Sequence, residues 1–72
     1  MQMKTIGQRI RHLRVKNSMT QEALANILYV SNNTVSSWER GRTQPDITII
    51  VQMANFFRVS LNFLLIGENF TL

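Results

Sequence analysis

The sequence predicts an all-α chain of five helices, and three observations carry that expectation. Side chains suited to start a helix recur at Thr5, Thr20, Ser31, Asp46 and Ser60, each with an oxygen that can accept from an unpaired backbone N–H. Apolar residues then return at helical spacing after each of them. Stop signals follow in turn, at Asn17-Ser18, Gly41 and Gly67.

Met1 to Lys4 is expected to fray. Thr5 and Gln8 have the spacing of a capping box, which predicts a first helix over Ile6 to Lys16. Ile6, Ile10, Leu13 and Arg14 share one of its faces, and Gly7 should weaken its first turn by about 1 kcal/mol relative to alanine. Thr20 caps a second helix over Gln21 to Leu28, with Met19 and Leu24 as a hydrophobic staple. Leu24, Ile27 and Leu28 form its inward face, and small Ala25 lets another helix cross closely. Ser31 caps a third helix over Asn32 to Arg40, stapled by Val30 and Val35. Val35 and Trp38 face inward, and Gly41 closes the helix.

Gly41 to Pro45 is a loop carrying Arg42 and Thr43. Asp46 caps a fourth helix over Ile47 to Phe57, with Ile47, Ile50, Val51, Ala54 and Phe57 as its inward face. The β-branched run Ile47 to Val51 would also suit a strand, but the period continues through Ala54 and Phe57 and favours helix. Ser60 caps a short fifth helix over Leu61 to Ile66, ended by Gly67. No repeat, low-complexity tract or linker divides the chain, so residues 1–72 are expected to form one domain.

Composition narrows the function classes. A hydrophobic fraction of 44% supports a folded chain rather than disorder. A core from 72 residues is small, and a partner subunit is a natural remedy. There is no cysteine, hence no disulfide framework or thiolate metal site. No apolar run spans a bilayer and no signal peptide leads the chain, so a cytoplasmic location is expected. Eight Lys and Arg against four Asp and Glu give a net charge of +4, which favours a polyanion. Residues 1–16 hold Lys4, Arg9, Arg11, Arg14 and Lys16 and no acid. A scattered basic face is the plainer reading, but a polar helix follows it.

That third helix carries almost no charge and many short polar side chains: Ser31, Asn32, Asn33, Thr34, Ser36 and Ser37. Catalysis finds little support. No nucleophile has a nearby base, no carboxylates pair, and no glycine-rich phosphate loop exists, so no enzyme and no cofactor is expected. His12 stands alone, which leaves a metal without ligands. Trp38 could stack on bases, but its spacing from Val35 places it in the core. The Asn-x-Thr matches at Asn32 and Asn69 are accidental without a secretion signal.

The stretch TQEALA, a turn, VSNNTVSSWERG and a proline soon after resembles the phage-repressor and Cro-type helix-turn-helix family, also called the xenobiotic-response-element (XRE) family. The resemblance runs from about Ile6 to Leu65 and fixes many positions at once: Leu24, Leu28, Val30, Val35 and Trp38 apolar, Ala25 small, and Glu39-Arg40-Gly41. It implies a five-helix, lambda-repressor-like bundle with the motif in the second and third helices. It also implies a sequence-specific regulator of transcription that binds double-stranded DNA as a homodimer on a pseudo-palindromic operator. Half-site centres would lie about 34 Å apart.

By the same resemblance, Asn32, Asn33 and Ser37 occupy base-reading positions in the major groove. Gln21, Thr34, Ser36, Arg40, Arg42 and Thr43 are expected at phosphates. The family pairs a cation on the first helix with the acid near the end of the third, here Arg14 with Glu39; the alternative points Arg14 outward to phosphate. Phe56 and Phe63 stand where relatives tend to have small or polar residues, and with Ile66 and Phe70 they form a candidate dimer interface. Two positions depart from the family: Tyr29 and Arg58 replace glycines in turns. At Tyr29 a left-handed backbone would cost about 1–2 kcal/mol, so either the turn is altered or packing of the ring offsets the strain. The rival class is an antitoxin or other protein-interaction module on the same fold. A basic membrane-surface protein is disfavoured, because the basic and apolar residues lie in different elements.

Overall fold

The computed structural model describes residues 3–67, and among these it forms five α-helices and no strand. They are α1 (Ile6–Lys16), α2 (Gln21–Leu28), α3 (Asn32–Glu39), α4 (Ile47–Phe57) and α5 (Leu61–Ile66). The bounds expected from the caps hold, except that α3 ends at Glu39 and Arg40 is its cap. Each helix begins where a side-chain oxygen meets the backbone N–H three residues on. Thr5 takes Gln8 N–H, Thr20 takes Ala23, Ser31 takes Thr34, Asp46 takes Ile49 and Ser60 takes Phe63. At α1 the box is reciprocal, since Gln8 Oε1 accepts from the N–H of Thr5 at 3.2 Å.

The turns share one device. An N–H two or three residues beyond the helix reaches back to a carbonyl of the last turn, which requires a left-handed residue between them. Val30 N–H donates to Ala25 O across Tyr29, Arg42 to Ser37 O across Gly41, and Val59 to Ala54 O across Arg58, all at 3.0 Å. Tyr29 adopts φ 59° and Arg58 φ 58°, so both turns keep the geometry a glycine would favour. Neither sequence-based alternative for Tyr29 holds: the turn is unaltered, and the ring is 95% exposed and packs on nothing.

The core is built from Ile10 and Leu13 of α1, Leu24, Ala25 and Leu28 of α2, Val35 and Trp38 of α3, Ile50, Met53 and Ala54 of α4, and Leu64 of α5. Gly7 has a packing role that the sequence reading missed. A Cβ there would stand 2.0 Å from the Trp38 carbonyl oxygen, so only glycine lets α1 lie this close to the end of α3. Three expectations about inward faces are corrected. On α4 the buried stripe is Ile50, Met53 and Ala54, with Phe57 partly buried; Ile47 and Val51 lie to one side of it and are exposed. On α2, Leu24, Ala25 and Leu28 are buried, and Ile27, expected on the inward face, is exposed. Phe63 is half-buried against the core rather than wholly available for a partner.

Arg9 is the largest departure from the sequence reading, which placed it on a basic surface. Its side chain is buried, with 4% exposure. Nε donates to Leu64 O at 2.8 Å, Nη2 to Leu65 O at 3.0 Å and Nη1 to Met3 O at 3.0 Å. The cation sits at the carbonyl end of α5, where the helix dipole is negative. Burial lowers its pKa from the ordinary arginine value. The three bonds fasten α5 and the backbone at Met3 to α1.

Candidate nucleic-acid interface

The position of α3 follows from its two apolar residues. Val35 and Trp38 turn into the core, and this rotates Asn32 and Asn33 outward with Ser36 and Ser37 partly exposed beside them. Gly41 then reverses the chain and returns Arg42 and Thr43 toward the same face. Ser37 Oγ and Thr43 Oγ1 are 2.8 Å apart, which ties the loop to the helix.

Asn33, Ser36, Ser37, Arg40 and Arg42 together line an open depression of about 200 Å³. Asn32 is exposed on the first turn outside it. Thr34 is partly buried, and its hydroxyl lies 2.8 Å from that of Ser31. Short amides and hydroxyls offer both donors and acceptors, and the two guanidiniums add fixed positive charge at the edge.

The side of this face is held by an ion pair. Arg14 donates through Nε to Glu39 Oε2 at 2.7 Å and through Nη2 to Glu39 Oε1 at 3.0 Å, while Nη1 donates to Met19 O at 2.8 Å. The side chains are 12% and 5% exposed, so the forked pairing is largely shielded from water. Hydrogen bonding to Glu39 raises the Arg14 pKa, against an opposing effect of burial. The Arg14 guanidinium is thus directed at Glu39 and Met19 rather than outward. Gln21 joins them, donating from Nε2 to Glu39 Oε1 at 3.1 Å. Its side chain is therefore partly committed within the fold.

Of the apolar residues singled out in the sequence, Phe56 is 45% exposed and Ile66 60% exposed. Phe56 also meets Phe57 edge to face, with centroids 5.0 Å apart. Phe70 lies outside the described residues. His12 is exposed, and among the described residues no three His, Asp or Glu side chains are grouped to hold a metal ion. No described helix is long and apolar enough to cross a membrane.

Residues 10–64 match the helix-turn-helix family profile, so the match covers α2, its turn and α3 together with most of their support. The chain belongs to the phage-repressor (XRE-type) helix-turn-helix family. Over 62 residues it is 38% identical to the HTH-type transcriptional activator BcrR of Enterococcus faecalis, covering 86% of this chain and 30% of that protein. It is 34% identical over 68 residues to Repressor protein C2 of Salmonella phage P22, covering 94% of this chain and 32% of the repressor. The crystal structure of the P22 c2 repressor in complex with synthetic operator 9T superposes with a TM-score of 0.83 at 33% identity, over 92% of this chain and 100% of that one. SinR, a master regulator for biofilm formation solved in complex with DNA, superposes with a TM-score of 0.73 at 31% identity, over 83% of this chain and 97% of that one. The chain spans less than half the length of the two curated relatives, BcrR and C2.

In helix-turn-helix terms, α2 supports and α3 presents, and the left-handed Tyr29 is the hinge point of the motif's turn. Sequence reasoning placed the short polar side chains of α3 on an outward face, because only Val35 and Trp38 of that helix are apolar. It did not find Arg9, whose acceptors are main-chain carbonyls with no side-chain signature.

Proposed function

We propose that this helix-turn-helix chain is a sequence-specific DNA-binding regulator of transcription, repressor-like, and that α3 enters the major groove. The observation that carries the reading is the depression that Asn33, Ser36 and Ser37 line together with Arg40 and Arg42. An asparagine amide matches the paired donor and acceptor on adenine's major-groove edge, and a serine hydroxyl can serve several bases. Asn32, Asn33 and Ser37 are assigned to bases. Arg40, Arg42, Thr43, Thr34, Ser36 and Gln21 are assigned to the backbone, where Gln21 would contribute its main-chain N–H and the second hydrogen of Nε2 while the first stays on Glu39.

The proposal extends to assembly and location. Residues 1–72 act as one DNA-binding domain, two copies bind a pseudo-palindromic operator, and the exposed Phe56 and Ile66 contribute to their contact. The chain works in the cytoplasm, without a cofactor and without enzymatic activity. Those exposed apolar residues also support a second reading, a protein-interaction module of the antitoxin kind, because they suit a foreign partner as well as a copy.

One experiment separates the readings. Selection of bound fragments from a random duplex pool should return one enriched motif with two related half-sites. Sedimentation should show two chains per selected duplex. No enrichment, together with a tight stoichiometric complex with a second protein, would place the function in protein binding instead.

A further inference from the structure

Beside the base-reading face lies a second hollow, of about 250 Å³, lined by Arg11, Arg14, Gln21, Glu39 and Arg40. It joins the outer side of α1 to the start of α2 and the end of α3. Three cations and one carboxylate meet there, for a formal sum of +2 from Arg11, Arg14, Arg40 and Glu39. The carboxylate is already committed. Glu39 accepts from Arg14 Nε, Arg14 Nη2 and Gln21 Nε2, so its charge is spent on Arg14. Among the described residues Arg11 and Arg40 meet no carboxylate. Both are exposed. The uncompensated charge therefore faces solvent from two helices at once.

Arg40 is the decisive residue, because it lines both hollows. It forms the common wall between the polar depression on α3 and the cationic hollow on α1. A strand whose bases face Asn33 and Ser37 would carry its phosphates past Arg40 and on toward Arg11. We propose that Arg11 is a DNA-backbone contact, and that the hollow seats a phosphodiester next to the one held by Arg40. The fixed Arg14–Glu39–Gln21 cluster forms its floor. This rests on the DNA-binding reading and extends its footprint onto α1.

The test uses the whole chain, a selected duplex and a scrambled duplex, with binding curves at several salt concentrations. Arg11→Gln should weaken both duplexes by the same factor and lower the slope of log affinity against log salt by about one unit per subunit. Arg11→Lys should restore most of the slope. Lys16→Gln removes the same charge from exposed α1 outside the hollow and should leave the slope nearly unchanged. Thermal melts confirm that each variant is folded. An unchanged slope for Arg11→Gln, with parent binding intact, overturns the inference while leaving the DNA-binding reading in place. An equal fall for Lys16→Gln also overturns it, since the effect would then be diffuse charge. Inorganic phosphate titrated at constant ionic strength separates a free-anion site: saturable binding that Arg11→Gln abolishes without altering either duplex would contradict a backbone role. If the parent binds neither duplex, the DNA-binding reading itself fails, and this extension of it fails with it.

Discussion

Tyr29 holds a left-handed backbone, φ 59° and ψ 40°, with no burial of its ring to compensate. The conformation is imposed by the bond from Val30 N–H to Ala25 O, which closes the turn whatever side chain sits there. A non-glycine residue in this region is strained by about 1–2 kcal/mol. Tyr29→Gly should therefore raise stability by about 1 kcal/mol, reduced somewhat by the greater freedom of glycine in the unfolded chain. Urea denaturation measures this, and a loss of stability would mean that the phenol ring makes a contact of its own.

Arg14 and Glu39 belong to the same scale. Removing one partner leaves the other shielded and uncompensated, so Arg14→Ala or Glu39→Ala should each cost about 3–5 kcal/mol. Because the Arg14 pKa is raised, the titration of Arg14 itself leaves this contribution intact below the ordinary arginine range and removes it only as pH rises beyond that range. Melts that match the parent would show that the pair contributes little. Arg14 was legible in the sequence because a cation interrupts an apolar face. Arg9 was not, because Leu64 and Leu65 offer it only carbonyls, far away along the chain.

At the scale of elements, caps and periods placed all five helices, since a capping oxygen and its target N–H are local features. Which flank of a helix is buried depends on its neighbours. That is why α4 turns Met53 inward and leaves Ile47 and Val51 exposed. The same limit applies to the candidate dimer face. Phe63 packs partly against its own core, so Phe63→Glu would perturb folding as well as association. Phe56 and Ile66 are better probes, because both present apolar surface that the folded chain does not cover. Phe56→Glu combined with Ile66→Glu should shift sedimentation toward monomer with little change in the melting temperature. A dimer that survives both changes would place the contact elsewhere.

Over the whole molecule, the basic balance and the polar face of α3 point to one partner, and they divide its contacts into two kinds. Arg42 stands at the rim of the depression in the loop after α3, where a contact with phosphate would be alike for every sequence. Asn33 stands on the helix, where a contact with a base edge would differ from site to site. On the proposed reading, the short side chains of Asn33 and Ser37 would require α3 to lie deep in the groove. The most direct measurement compares Asn33→Ala and Arg42→Ala on one selected and one scrambled duplex across several salt concentrations. Arg42→Ala should weaken both duplexes alike and lower the salt slope by about one unit per subunit. Asn33→Ala should cost about 1–3 kcal/mol on the selected duplex and leave the scrambled one nearly unchanged. Equal losses on both duplexes for Asn33→Ala would contradict base reading by α3.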